Sequence, residues 1–372
     1  MDWLKYLLIP LMLSALITPI LKWIAVKLEI YAQENERTVH SGKIARIGGV
    51  AIYVSFIVCM ACFMETDVTI NGILIGGTIM FLGGLIDDMV DLKPSYKLAI
   101  ECVAAIVLMV VGKVSLDVIR LPFGITIDMG IISFIVTFVW IIGITNAVNL
   151  MDGLDGLSGG ICAIILVVIA CMSVVEARLD IETMSLLLAG SILGFLLYNL
   201  HPASIFMGDC GALFLGFIIA AISLLGFKSS TIMTLALPIL LLAVPIVDTL
   251  GAIVRRKLSG HKFNEADKKH LHHLLMRRFG HRNTVLILYV VTALFGFTAY
   301  LYLINKATGF FVLFMIAIIV ELFIEWSEMI SKQFHPLLSI LRGIQKKCGK
   351  LYDILTKRKR KSIKEEMDKR TL

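Results

Sequence analysis

With 58% of its 372 residues hydrophobic and only 17% charged, and a mean hydropathy of +0.89, this chain is excluded from the soluble class, whose domains carry about 25% charged residues. A net charge of +7 and a pI near 9.0 would suit a nucleic-acid binder, but membrane topology explains the basic excess better, so no nucleic-acid partner is expected. Helices satisfy their own backbone in lipid and the alternating pattern of an outer-membrane barrel is absent, so the fold class is an all-α polytopic membrane protein.

Apolar runs predict about eleven transmembrane helices, near 4–24, 47–64, 70–86, 98–114, 129–145, 158–175, 183–200, 210–226, 231–251, 284–304 and 308–326. The first is followed by no A-x-A-like cleavage site and reads as a retained helix. Pro238 and Pro245 are expected to kink the ninth. Between the fourth and fifth, Val114–Leu121, then Pro122-Phe-Gly124, then Ile125–Asp128 predict a small β-hairpin on the outer face. Residues 1–327 form the membrane domain and 328–372 a cytoplasmic tail. In the tail, Leu337, Leu341, Ile344, Cys348, Leu351 and Leu355 make one apolar stripe of an amphipathic helix ahead of Lys357–Lys361, a pattern suited to anionic membrane lipid. The seven cysteines show no metal-ligand spacing, and no internal repeat marks an inverted-repeat transporter.

With this number of spans, the loops 27–46, 87–97, 146–157, 201–209, 252–283 and the tail share one side. Most of the 35 Lys and Arg fall there. The positive-inside rule makes that side cytoplasmic, with the C-terminus inside and the N-terminus outside. Every acidic cluster falls on the same side, which predicts a single cytoplasm-facing site.

The first basic strip on that side holds Arg37, His40, Lys43 and Arg46. Next comes Asp87-Asp88-Met-Val-Asp91 at the end of the third span. On a continuing helix, Asp87 and Asp91 share a face, as do Asp88 and Asp91. Carboxylates so close repel unless a cation binds, and an oxygen-only set suits Mg²⁺, with Mn²⁺ as a substitute. Alone the motif is weak, since soluble prenyl transferases also use it and an acidic helix end needs no ligand. The stretch Asn146-Ala-Val-Asn149-Leu-Met-Asp152-Gly-Leu-Asp155-Gly156 is the most telling: two carboxylates and two carboxamides lie between strongly apolar runs with no local Lys or Arg. Acids beside lipid cost about 2.5–3.5 kcal/mol each at a helix centre, so they persist where they bind a cation, line a wet cavity or do chemistry. Asp209, between Gly208 and Cys210-Gly211, is by itself equally a helix N-cap or a ligand.

The long loop from Arg255 ends in His270-Leu-His272-His273. No local carboxylate or thiolate completes a zinc set, and His among Lys and Arg suits phosphate, nucleotide or sugar. Acids for a divalent metal and basic loops for phosphates, at a membrane face, imply phosphoryl transfer from a nucleotide-linked donor to a lipid. A cation-coupled transporter is the rival from another class, but it would place its acids at mid-span. A CDP-alcohol phosphotransferase would carry D-G-x-x-A-R, which is absent.

In combination and order, Asp87-Asp88-x-x-Asp91, Asn146-x-x-Asn149-x-x-Asp152-Gly-x-Asp155-Gly, Phe206-Met-Gly-Asp209-x-Gly and His270-x-His272-His273 resemble the polyprenyl-phosphate N-acetylhexosamine-1-phosphate transferases, over about residues 30–285. The muramoyl-pentapeptide branch typically reads Pro-Leu-His-His-His at the last motif. The different run here resembles the branch that uses UDP-N-acetylglucosamine (UDP-GlcNAc), with a Gram-positive teichoic-acid initiator as the nearest type. The resemblance implies an enzyme transferring GlcNAc 1-phosphate from UDP-GlcNAc to undecaprenyl phosphate, multi-pass in a bacterial plasma membrane, with a homodimer allowed. It implies Asp87, Asp88, Asp152 and Asp209 as catalytic acids, with Asp209, Asp88 and Asp152 holding Mg²⁺. It further implies Phe206 stacked on uracil, Asp155 at the uracil edge, Asn149 orienting the acids or diphosphate, and His270, His272 and His273 near the nucleotide and sugar; Arg46, from the basic strip, is expected on substrate as well.

Overall fold

The computed structural model describes residues 3–31, 44–120, 126–226, 239, 242–258 and 271–326. These form α1 (Trp3–Lys27), α2 (Gly49–Phe63), α3 (Val68–Val90), α4 (Pro94–Val110), β1 (Val118–Arg120), β2 (Thr126–Asp128), α5 (Ile132–Met151), α6 (Leu157–Val175), α7 (Leu179–Asn199), α8 (Gly208–Gly226), α9 (Ala243–Leu258), α10 (Leu271–Phe279), α11 (His281–Ile304) and α12 (Lys306–Trp326). Seven of them, α1, α3, α5, α6, α7, α8 and α11, are long and apolar enough to cross a membrane. The protein is therefore a polytopic α-helical membrane protein, as the composition requires.

The about eleven expected spans resolve unevenly. Helix α2 has 15 residues. Helix α4 has 17 and carries Lys97 and Glu101 in its first two turns, and most of the predicted ninth span lies outside the described residues. Pro245 falls in the first turn of α9, where backbone N–H groups have no intrahelical partner to lose. Strands β1 and β2 pair antiparallel, Val118 opposite Asp128 and Arg120 opposite Thr126, where the hairpin is expected. The hairpin turn, Pro238, Arg37, His40, Lys43, His270, the His272 side chain and the tail from 327 lie outside what is described.

Helix α8 is the axis of the packing. Its apolar window is wholly buried, against α3 and α5 on its broadest contacts and α2, α6 and α7 elsewhere. Without a hydrophobic force between helices in lipid, close approach depends on small residues. At Gly84 of α3 a Cβ would sit 2.6 Å from the Asp209 carbonyl and the Cys210 backbone, so the absence of a side chain brings the C-terminal end of α3 onto the N-terminus of α8. The outer surfaces of α1, α5 and α11 expose large apolar groups such as Trp23, Ile135 and Leu286, as a lipid-facing belt must.

Candidate active site

The junction of α3 and α8 gathers the acids. Asp88 points into the N-terminus of α8, its side chain fully buried. Its Oδ1 accepts the Asp209 N–H at 2.8 Å and its Oδ2 the Cys210 N–H at 2.9 Å. It thus caps another helix across the interface, where an anion gains from both free N–H groups and the helix dipole. The turn into α8 needs Gly208, which adopts φ +76°; a Cβ there would lie 2.3 Å from the Arg46 carbonyl and 2.5 Å from Asp88 Oδ2.

Asp209, in the first turn of α8, is held between two cations. Arg46 Nη2 donates to its Oδ1 at 3.0 Å and Lys97 Nζ to its Oδ2 at 2.9 Å. Arg46 Nε also lies 3.2 Å from Asp88 Oδ1, and Lys97 pairs with Asp87 Oδ2. The other Asp87 oxygen accepts the Leu92 N–H at 2.7 Å. The chain of contacts therefore runs Asp88, Arg46, Asp209, Lys97, Asp87. Burial acts to lower the Arg46 guanidinium, but Asp209, Asp88, Asp87 and Asp152 outweigh it and raise it above its ordinary value.

Helix α5 carries Asn146 and Asn149 in its last turns and ends at Asp152, its C-cap. Burial first, then Asp209, pushes the Asp152 carboxyl up to about 7, with Arg46 opposing and Asp88 and Asp155 adding. Asn146 donates to Glu101 and to the Ile142 carbonyl, so its amide serves helix packing. Asp91 departs from the sequence expectation. Instead of sharing a helical face with Asp87 and Asp88, it is the exposed left-handed C-cap of α3, at φ 54°, and its carboxylate leaves the helical register.

A second cluster stands beside Asp152. Asp155 Oδ2 lies 2.8 Å from His201 Nδ1 and accepts the Ala203 N–H at 3.1 Å. The Asp155 N–H donates to His281 Nε2 at 3.1 Å, and the two imidazoles stack with centroids 4.1 Å apart. Asn199 ties the neighbouring loops by accepting from Gly156 N–H and donating to the Ile205 carbonyl. Asp155, His201 and His281 have ligand-capable atoms within 4.8 Å of one another, a group compatible with a divalent metal. Half-buried Phe206 follows on the same loop, with its N–H on the Ala45 carbonyl and its carbonyl accepting from Gly48 N–H. His273 is half-buried in α10.

Sequence reasoning missed Lys97, Asn199, His201 and His281. Lys97 was legible only as a loop charge, and His201 stands before a proline ahead of the Phe206 motif, a place with no signature of its own. His281 follows Gly280, the N-cap of α11.

The model of glycosyl transferase family 4 matches residues 70–227, the stretch that runs from α3 to the end of α8. The chain is 36% identical, over 91% of its length and 96% of the relative's, to a probable undecaprenyl-phosphate N-acetylglucosaminyl 1-phosphate transferase of Bacillus subtilis. It is 32% identical, over 74% of its length and 77% of the relative's, to a decaprenyl-phosphate N-acetylglucosaminephosphotransferase of Mycobacterium leprae. It is 28% identical, over 76% and 86%, to an undecaprenyl-phosphate alpha-N-acetylglucosaminyl 1-phosphate transferase of Thermotoga maritima. With its acid centre formed inside the matched stretch, the chain belongs to glycosyl transferase family 4.

Proposed function

We propose that the protein transfers GlcNAc 1-phosphate from UDP-GlcNAc to undecaprenyl phosphate at the cytoplasmic face of a bacterial plasma membrane, releasing UMP. The product, undecaprenyl-diphospho-GlcNAc, would open the assembly of a cell-wall polymer such as teichoic acid. The observation that carries this reading is the convergence of Asp87, Asp88, Asp152 and Asp209 with Arg46 and Lys97 at one end of α3 and α8, in a chain whose relatives bear the names given above.

Four carboxylates face two cations, and the donor set is oxygen only, which fits Mg²⁺. Asp209 and Asp152 are the residues we assign to hold it, with Asp88 supporting Asp209 through the α8 N-terminus. When bound, the metal supplies neutralisation of the diphosphate charge. Asp87 and Lys97 stand where the lipid phosphate arrives, Lys97 as its electrostatic partner. An oxygen of that phosphate attacks the sugar-bearing β-phosphorus of the donor, the bond from the β-phosphorus to the bridging oxygen breaks, and that oxygen leaves with UMP. A phosphate monoester has a second pKa near 6, so the acceptor is largely dianionic at pH 7. Direct attack therefore needs no carboxylate base, and we assign Asp87 and Asp88 to positioning. Phe206 stacks on uracil, Asn149 and Arg46 meet the diphosphate, and His270, His272 and His273 contact the nucleotide and sugar.

Purified protein incubated with UDP-GlcNAc labelled in the sugar, undecaprenyl phosphate and Mg²⁺ should move label into the organic phase, and chelation should stop it. Absence of lipid-linked label with active-grade lipid and folded protein would overturn the reading.

A further inference from the structure

The turn Asp152–Gly156 joins two groups of helices. Its upstream helix, α5, packs broadly on α8, whereas its downstream helix, α6, packs on α7 and α11, and α5 and α6 make little contact with each other. The turn is therefore not fixed by the helices it connects, and side chains from α7 and α11 hold it instead. Asn199 Oδ1 accepts the Gly156 N–H at 3.0 Å, and the Tyr289 hydroxyl donates to the Gly156 carbonyl. The Asp155 N–H is held by His281, about two turns earlier on α11. At its other end the turn is open: Asp152 is half-buried and Gly153 exposed, while Asp155 and Gly156 are buried. The ring of Tyr289 reaches the turn over Gly160, where a Cβ would fall 1.9 Å from its hydroxyl oxygen. Gly156 itself adopts φ +74°, so the hydroxyl pins the turn at a residue in the left-handed region.

We propose that Tyr289 is a positioning residue for the divalent metal: its hydroxyl, through Gly156, holds the turn so that Asp152 stands ready to bind the ion with Asp209. The Gly156 carbonyl also accepts the Gly160 N–H at 2.9 Å, so removing the hydroxyl leaves that acceptor paired and α6 keeps its first turn. What is lost is the restraint on the turn. A ligand whose competent partner is only a fraction of the population binds more weakly by that fraction. A looser turn therefore lowers metal affinity, while saturating metal restores the bound geometry. The role given to Tyr289 rests on Asp152 being a metal ligand in the proposed function, and it names the group that presets that ligand.

The test uses the full-length protein and measures Mn²⁺ affinity directly, from the electron paramagnetic resonance of free Mn²⁺, alongside the Mg²⁺ dependence of lipid labelling. Tyr289→Phe keeps the ring and removes only the hydroxyl. It should raise both the Mn²⁺ dissociation constant and the Mg²⁺ half-saturation about fivefold, the worth of one neutral hydrogen bond, with kcat at saturating metal and the lipid KM unchanged. The effect should vanish in an Asp152→Asn background, because the hydroxyl acts through that carboxylate. Gly160→Ala, whose methyl would displace the hydroxyl, gives the same readout if the phenylalanine variant does not fold. An unchanged Mn²⁺ constant would overturn the proposal. So would an equal loss with and without the Asp152 carboxylate, which would make Tyr289 a packing residue. Wild-type protein that binds Mn²⁺ but labels no lipid would fail the UDP-GlcNAc reading instead, so the two failures are distinguishable.

Discussion

Replacing Asp209 with asparagine keeps the side-chain volume and removes one negative charge from the centre of the acid network. In the native protein its two oxygens accept from Arg46 at 3.0 Å and Lys97 at 2.9 Å. Both cations keep a second partner in the variant, Arg46 on Asp88 and Lys97 on Asp87. The α8 N-terminus stays capped by Asp88, so the fold should survive. One weakened charge-assisted bond among half-exposed cations costs about 1–2 kcal/mol of stability. Activity should suffer more. The lost carboxylate is an assigned Mg²⁺ ligand at the point where transition-state charge gathers, and removing one key electrostatic group there costs about 10²–10³ in rate. Transfer of labelled GlcNAc phosphate should be measured across a Mg²⁺ titration, with thermal unfolding of the same preparation as the control. Near-normal Mg²⁺-dependent turnover by folded Asp209→Asn protein would refute the assignment.

Asp88→Asn should behave differently: only one of its two side-chain atoms can accept, so the buried Cys210 N–H loses its partner. We expect about 1–3 kcal/mol lower stability together with lost activity; an unchanged melting temperature would show that Asp88 does not hold α8. Phe206→Ala should chiefly raise the donor KM, since stacking on a base is worth roughly 1–3 kcal/mol, and a normal donor KM with an altered lipid KM would place Phe206 against the acyl chain instead. Burial, with Asp209 adding, holds the Asp152 carboxyl up at about 7. An acid raised in the folded state keeps its proton up to that value, so the metal-free fold loses stability as pH rises from about 4 to 7 and a bound cation must expel the proton. Calorimetry in buffers of different ionisation heat should therefore show proton release on Mg²⁺ binding at pH 6, little at pH 8.5 and a smaller release at pH 6 in Asp152→Asn; equal release in that variant would contradict the ligand role.

The apolar runs were legible because lipid demands them, and helices α3, α5, α6, α7, α8 and α11 stand close to where hydropathy put them. The short helices were harder: α4 buries Glu101 against Asn146 and carries Lys97 into the site, features that lower its apolar signal while serving packing and charge. The acids could be found locally because each stands out against lipid-soluble neighbours. Their cations could not, since Arg46 and Lys97 reach Asp209 from 163 and 112 residues away in sequence, and only the close approach at Gly84 brings them together. The two roles of the aspartates were also invisible. Asp88 caps a helix from which it is separated by 121 residues, and Asp91 lies in a left-handed cap. The spacing rule for a continuing helix could register neither. Asp155 was found as an acid near Asp152, while the imidazoles that surround it come from a loop and from the first residue of α11, neither with a motif.

The identity of the released nucleotide tests the central claim most directly. With UDP-GlcNAc, undecaprenyl phosphate and Mg²⁺, the account predicts UMP in one-to-one ratio with undecaprenyl-diphospho-GlcNAc, because attack falls on the β-phosphorus. Release of UDP with a lipid bearing only one phosphate would mean attack at the sugar carbon and would contradict the mechanism.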